Sequence, residues 1–196
     1  KNAVFLIDGS SFLYRAYYGL KPLHTSKGMT VQAVYGFCRM IKKLIETHGV
    51  SNMVVVWDSK GKSKRQEIYQ EYKATRLAAP SDMFVQKEYI QKFVDLVGIQ
   101  QVSKEGIEAD DLMYSLAKKA NIEGRQAVIV SSDKDMRQAL SEKIIILDPF
   151  KEIVIDVQSC HDRYGFDVSK LPFYFAILGD SSDNIPGVKG IGEKGA

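Results

Sequence analysis

Four runs apolar at every position punctuate the chain: AVFLI (3–7), MVVVW (53–57), AVIV (127–130) and IIIL (144–147). Runs this short and this uniformly apolar fit strands buried on both faces. IQQV (99–102) is a weaker fifth. Between them lie segments with helical spacing. Residues 30–48 place Val31, Val34, Phe37, Ile41, Leu44 and Ile45 on one face, with Thr30 as the expected cap, His48 at the C-terminal end and Gly49 as the stop. Residues 82–97, 108–120 and 135–141 are further helix candidates. Buried strands alternating with amphipathic helices predict an α/β domain with a largely parallel central sheet flanked by helices. A chain of 196 residues, 45% apolar and 26% charged, suffices for one such core. It carries no internal repeat and no low-complexity tract.

In a sheet of this kind ligands bind beyond the carboxyl ends of the strands, and that is where the acids fall. Asp8 follows the first strand, Asp58 the second, and Asp133 the run 127–130. Glu108, Asp110 and Asp111 crowd the start of a helix in GIEADD. SSDKD adds Asp135, and GDSSDN adds Asp180 and Asp183, which share a face if their turn is helical. The bland reading of any one acid is a solvated loop, or a helix start that suits the dipole. Together they read as one site. Carboxylates gathered without countercharge repel and raise one another's pKa values, and hard divalent cations such as Mg²⁺ or Mn²⁺ remove that repulsion. Two such ions about 4 Å apart activate a water and stabilise a leaving oxygen of a phosphodiester.

Competing chemistries find little support. His24, His48 and His161 lack nucleophile or ligand partners, and Cys160 beside His161 has no second ligand pair for zinc. Cys38 falls in an apolar helical stripe and is expected in the core. No run approaches the roughly 20 apolar residues of a membrane span, and the N-terminal run is too short for a signal-peptide core. The expectation is a cytoplasmic monomer with reduced thiols.

The net charge of +3 matters less than its distribution. Between Ser59 and Arg76 stand six basic residues, Lys60, Lys62, Lys64, Arg65, Lys73 and Arg76, against Glu67 and Glu71. A basic segment beside acidic clusters points to a polyanionic partner. Arg65, Tyr69, Tyr72 and Arg76 are spaced for one helical face. Their cations suit phosphates and their rings suit unpaired bases, although half-buried tyrosines on a surface helix read the same way.

The motifs LIDGSSFLYRAYY, AVYGF, VVWDSKGKSKRQE, EYKATR, GIEADD, SSDKDM and GDSSDNIPGVKGIGEK, collinear from Val4 to Lys194, resemble the 5′-nuclease domain of bacterial DNA polymerase I. That domain belongs to the flap-endonuclease family, with its PIN-like fold. The resemblance implies a PIN-like core over 1–179, a helical arch at 62–80, and the start of a helix-hairpin-helix at 180–196. It implies metal binding by all nine acids, with Asp8, Asp58, Glu108, Asp110 and Asp111 nearer one ion and Asp133, Asp135, Asp180 and Asp183 nearer the second. It implies that Lys73 and Arg76 act at the scissile phosphate, that Arg15, Lys64, Arg65, Tyr69 and Tyr72 contact DNA, and that Gly187, Gly190 and Gly192 approach a phosphate, with K⁺ nearby. The implied reaction is hydrolysis of DNA at nicks, free 5′ ends and flaps, RNA-primed ends included, in a chain that can carry a polymerase domain. Two departures stand out: LAAPSD is poor in proline, and Gly195 stands where the family has threonine. Two other functions fit the same residues, a DNA-binding nuclease fragment with little turnover and a PIN-type ribonuclease.

Overall fold

A computed structural model describes residues 3–59, 61 and 63–196; Lys60 and Lys62, from the basic segment, lie outside the described residues. The apolar runs become β1 (Val4–Asp8), β2 (Met53–Val56), β3 (Gln100–Val102), β4 (Ala127–Val130) and β5 (Ile144–Asp148), joined by β6 (Ile153–Ile155). Their order is β3-β2-β1-β4-β5-β6, parallel except for β6. The chain builds outward from β1 to β3, then returns to the other side of β1 with β4. The β1–β4 seam is therefore the switch point, where connections diverge and a crevice opens.

Both faces of the sheet are covered, which explains the unbroken apolar strands. On one face Leu6, Ile129 and Ile146 pack with Met113 and Ala117 of α5 (Ala109–Ile122). On the other, Ile7, Val55 and Trp57 meet α1 (Gly9–Gly19), α2 (Gln32–His48) and α4 (Ser81–Leu96) through Phe12, Phe37, Ile41 and Ile90. Phe37 stacks on Trp57 with centroids 5.7 Å apart. Burying each such side chain contributes about 1.5–3 kcal/mol. No helix among the described residues is long and apolar enough to cross a membrane.

Several expectations are corrected. Helix α2 starts at Gln32 with Val31 as an uncapped N-cap, because the Thr30 hydroxyl donates instead to Asp82 at 3.1 Å. Residues 135–141 form only a 3₁₀ turn, Asp135–Ala139, since β5 follows almost at once. Cys38 is only partly buried, whereas Cys160 is in the core. The helical face through Arg65, Tyr69, Tyr72 and Arg76 does not form. Helix α3 covers Lys64–Ile68, Tyr69 is extended, and turns follow. The reason lies in what Tyr72 and Lys73 reach. Tyr72 is buried, and Lys73 takes φ 58° with its N–H on the Asp183 carbonyl at 2.9 Å. Those contacts need a backbone that no helix supplies. GDSSDN is likewise not helical: β7 (Gly179–Asp180) and β8 (Ile185–Pro186) form an antiparallel hairpin with Asp183 in its turn. Beyond it, Val188–Ala196 is a succession of turns without a helix.

Helices α1, α6 (Val157–Tyr164) and α7 (Leu171–Leu178) were not anticipated. The Asp8 carboxylate caps α1 by accepting the Ser11 N–H at 2.8 Å. The segment LPFYFAIL is apolar all round and shows no period.

Candidate metal centre and nucleic-acid interface

Beyond the strand ends lies a cleft of about 550 Å³, lined in part by Glu108, Asp110, Asp111, Asp135, Asp180 and Asp183. Asp8, on β1, is buried beneath it, held by Ser11 and by the Ser131 hydroxyl at 2.9 Å. Asp58, just past β2, accepts the Ala109 N–H at 2.9 Å, while its own N–H donates to Ser10 Oγ at 3.0 Å. Asp133 accepts the Asp135 N–H at 2.9 Å. These donors are all neutral, so they orient the acids without discharging them.

The electrostatics follow. Burial, then the charges of Asp8, Asp133 and Asp58, pushes Asp110 up to about 8. Burial raises Asp8 to about 6, with smaller upward pushes from Asp58 and Asp133, against the hydrogen bonds from Ser11 and Ser131. Burial and Asp133 raise Asp135 to about 6. Asp133 thus raises Asp8, Asp110 and Asp135 alike.

The remaining acids are ion-paired. Glu108 Oε2 receives Lys73 Nζ at 2.8 Å, Arg65 at 3.1 Å and the Tyr72 hydroxyl at 3.0 Å. Burial pushes Glu108 upward, yet Lys73 and Tyr72 hold it below its ordinary value. Asp111 pairs with Arg65 at 2.8 Å. Asp183 receives Arg76, the Tyr72 hydroxyl at 3.1 Å, and Lys73 at 3.8 Å. Asp180 pairs with Lys134 at 2.9 Å, which holds its pKa down despite burial.

The acids therefore gather round one cleft, but no three of them, among the described residues, close on a single cation position. A ring of separated carboxylates suits Mg²⁺, which keeps several waters and takes many of its acceptors through them. The donor set is all oxygen and strongly anionic, and its inner acids carry raised pKa values that a cation would relieve. It fits divalent cations.

The expected DNA-facing residues are spread more widely. Arg65, Tyr72, Lys73 and Arg76 border the cleft. Lys64 and Tyr69 are exposed on the same segment, whose start is tied to the loop before α5 by Lys64 N–H to the Gly106 carbonyl at 3.1 Å. The Tyr72 ring is buried rather than presented to solvent. Arg15 lies further along α1, its guanidinium 4.5 Å from the Phe150 ring centroid. Gly187 packs against backbone, while Gly190 and Gly192 face open space. Ser131 and Lys134 were missed; both sit inside SSDKD, where the acids alone drew notice.

The family model of the 5′-3′ exonuclease N-terminal resolvase-like domain matches residues 3–165. A 5′-3′ exonuclease of Aquifex aeolicus is 39% identical over 195 residues, covering 100% of this chain and 68% of its own length. A thermostable DNA polymerase I of Thermus thermophilus is 44% identical over 196 residues, of which the chain covers only 23%. A solved structure of T5 5′-exonuclease with divalent zinc ions bound shares the fold at TM-score 0.76 and 22% identity, over 98% of this chain and 72% of that one. The catalytic core of Rad2 in complex with DNA substrate shares it at TM-score 0.63 and 21% identity, over 98% and 58%. An acid-rimmed cleft at the switch point of a largely parallel sheet makes this an α/β domain with a candidate cation site. The chain belongs to the 5′-3′ exonuclease family.

Proposed function

We propose that the chain is a metal-dependent 5′-nuclease that hydrolyses DNA phosphodiesters at 5′ ends, nicks and flaps. The observation that carries this reading is the acidic cleft bordered by Arg65, Lys73 and Arg76, in a chain of the 5′-3′ exonuclease family. The acids would hold two divalent ions largely through bound waters, Asp8, Asp58, Asp110 and Asp133 around one and Asp133, Asp135, Asp180 and Asp183 around a second, with Mg²⁺ suited to both. Glu108 and Asp111 would accept from the coordinated waters. When bound, the ions supply the activation of water and the stabilisation of the leaving oxygen.

The chain's own residues account for substrate placement. Lys73 and Arg76 rest on Glu108 and Asp183, and a phosphate entering the cleft would compete with those carboxylates for them, with bidentate geometry open to Arg76. Arg65 borders the same cleft, and Tyr69 is exposed for stacking on an unpaired base. Arg15 and the glycine turns would contact the flanking backbone, with K⁺ a candidate at the latter. Homology to the N-terminal region of DNA polymerase I supports a role in removing RNA primers and in nick translation, beside a polymerase domain in a longer chain.

The test is cleavage of a labelled 5′ flap and a nicked duplex in Mg²⁺, with EDTA and Asp110→Asn as controls. Product that needs Mg²⁺ and vanishes in Asp110→Asn is expected. Cleavage persisting in EDTA overturns the reading. Preferential cutting of RNA over DNA would favour a PIN-type ribonuclease instead.

A further inference from the structure

Ser131 is the first residue beyond β4 and is 1% exposed. Its N–H donates to the Leu147 carbonyl at 3.2 Å, which pins its backbone to β5. Its Oγ accepts the Asp133 N–H at 3.1 Å and donates to Asp8 Oδ2 at 2.9 Å. A serine hydroxyl carries one proton and two lone pairs. An amide can only donate, so Asp133 fills a lone pair and leaves the proton for Asp8. The other oxygen of Asp8 is held by Ser11 at 2.8 Å. Both carboxylate oxygens are thus fixed by neutral donors, one from α1 and one from the turn after β4. An ionised carboxylate offers about four acceptor positions, so positions remain on Asp8 for a cation.

We propose that Ser131 is a positioning residue that sets Asp8 and Asp133 in mutual register for a divalent cation, an inference that rests on the metal-dependent reading above. The single hydroxyl spans the β1–β4 seam and couples acids that follow different strands. A cation placed between them would meet carboxylates already oriented, and their charge would be undiminished because the donor is neutral. Without the hydroxyl, Asp8 loses one of its two anchors, and the Asp133 N–H loses its acceptor. The turn that presents Asp133 and Asp135 then loses its tie to β1.

The test is calorimetric titration of Mn²⁺ into the wild-type chain and into Ser131→Ala, Ser131→Cys and Ser131→Thr, with Tm measured in EDTA for each. Loss of a group that orients a metal ligand typically weakens affinity about 10- to 100-fold. That loss is expected for Ser131→Ala, with a parallel rise in the Mg²⁺ needed for half-maximal cleavage. Ser131→Thr keeps the hydroxyl and restores most of the affinity. Ser131→Cys preserves the shape with a weak donor; should alanine fail to fold, it carries the same expectation of loss. A lowered Tm with unchanged Mn²⁺ affinity in the alanine or cysteine variant overturns the proposal, because a purely structural serine behaves that way. Absence of Mn²⁺ binding by the wild type would instead overturn the metal-dependent reading itself.

Discussion

The carboxylate of Asp58 accepts the N–H of Ala109 at 2.9 Å and so caps α5 from the end of a different strand. Glu108 occupies the N-cap position of that helix but makes no side-chain cap; its carboxylate faces Lys73, Arg65 and Tyr72 instead. Asp58 therefore fixes the helix that carries Asp110 and Asp111, while Glu108 receives the basic segment. Loss of an N-cap acceptor costs about 1 kcal/mol. Asp58→Ala should lose that much in urea denaturation in EDTA, and Asp58→Asn, which keeps an acceptor oxygen, only a few tenths. Both should impair Mg²⁺-dependent cleavage, because both remove the charge. Equal destabilisation by the two variants would remove the capping role.

Without metal, the inner acids should make stability fall as pH rises. In the fold, Asp110 sits at about 8 and Asp8 and Asp135 at about 6, all above the ordinary 3.8. Between pH 4 and 8 the native state therefore binds more protons than the unfolded chain, and the slope of unfolding free energy with pH is negative. The lowered acids, Glu108 and Asp180, act in the opposite sense and chiefly below that window. Denaturation in EDTA should thus show greater stability at pH 5 than at pH 8. Mg²⁺ should reverse the order by favouring the ionised carboxylates. A metal-free stability that rises over this window contradicts the crowding of Asp8, Asp110 and Asp133.

How much of this was legible in the sequence differs from residue to residue. The central strands were, because a sheet covered on both faces demands apolar residues at every position, as in AVIV; β3, with its two glutamines, gave only a weak signal, and β6 and the β7–β8 hairpin gave none. The acids at their ends were legible for the same topological reason. The path of the chain after Ile68 was not. Spacing of 4, 3 and 4 measures compatibility with a helix, whereas the outcome turns on the Tyr72 and Lys73 contacts with Glu108 and Asp183, more than 30 and 100 residues away in sequence. Ser131 was invisible because a serine in a polar turn carries no periodic signal; only the juxtaposition of β1 and β4 gives it Asp8 as a partner.

The Tyr72 hydroxyl lies 3.0 Å from Glu108 and 3.1 Å from Asp183, yet it has a single proton to give. It joins the helix start of α5 to the β7–β8 hairpin, with Lys73 and Arg76 completing the charge balance. Hydrogen bonds to charged groups contribute about 1.5–3 kcal/mol. Tyr72→Phe, which keeps the buried ring, should destabilise the protein by about that amount. A double-mutant cycle with Asp183→Asn should give a coupling above about 0.5 kcal/mol. Additive losses would mean that the hydroxyl serves Glu108 alone.

Two glycines expected at a DNA phosphate part company in the structure. A Cβ on Gly187 would lie 2.2 Å from the Leu178 carbonyl oxygen and 2.4 Å from its carbon, so the missing side chain is what lets β8 close on the end of α7. Gly179, opposite, meets the Gly187 nitrogen in the same way at 2.3 Å and takes φ +70°. Neither contact can yield, since both partners are backbone. A Cβ on Gly192 would meet nothing within 4 Å. Overpacking of rigid surroundings costs about 1–3 kcal/mol or more. Gly187→Ala should lose at least that in urea denaturation, and should displace Asp180 and Asp183 with the hairpin, weakening Mn²⁺ binding as well. Gly192→Ala should leave stability and Mn²⁺ affinity unchanged. If backbone at Gly192 approaches a phosphate, the added methyl should nonetheless lower affinity for a flap duplex, read by fluorescence anisotropy in Ca²⁺. Unchanged DNA affinity in Gly192→Ala would release that turn from the DNA interface, leaving Gly187 its packing role alone.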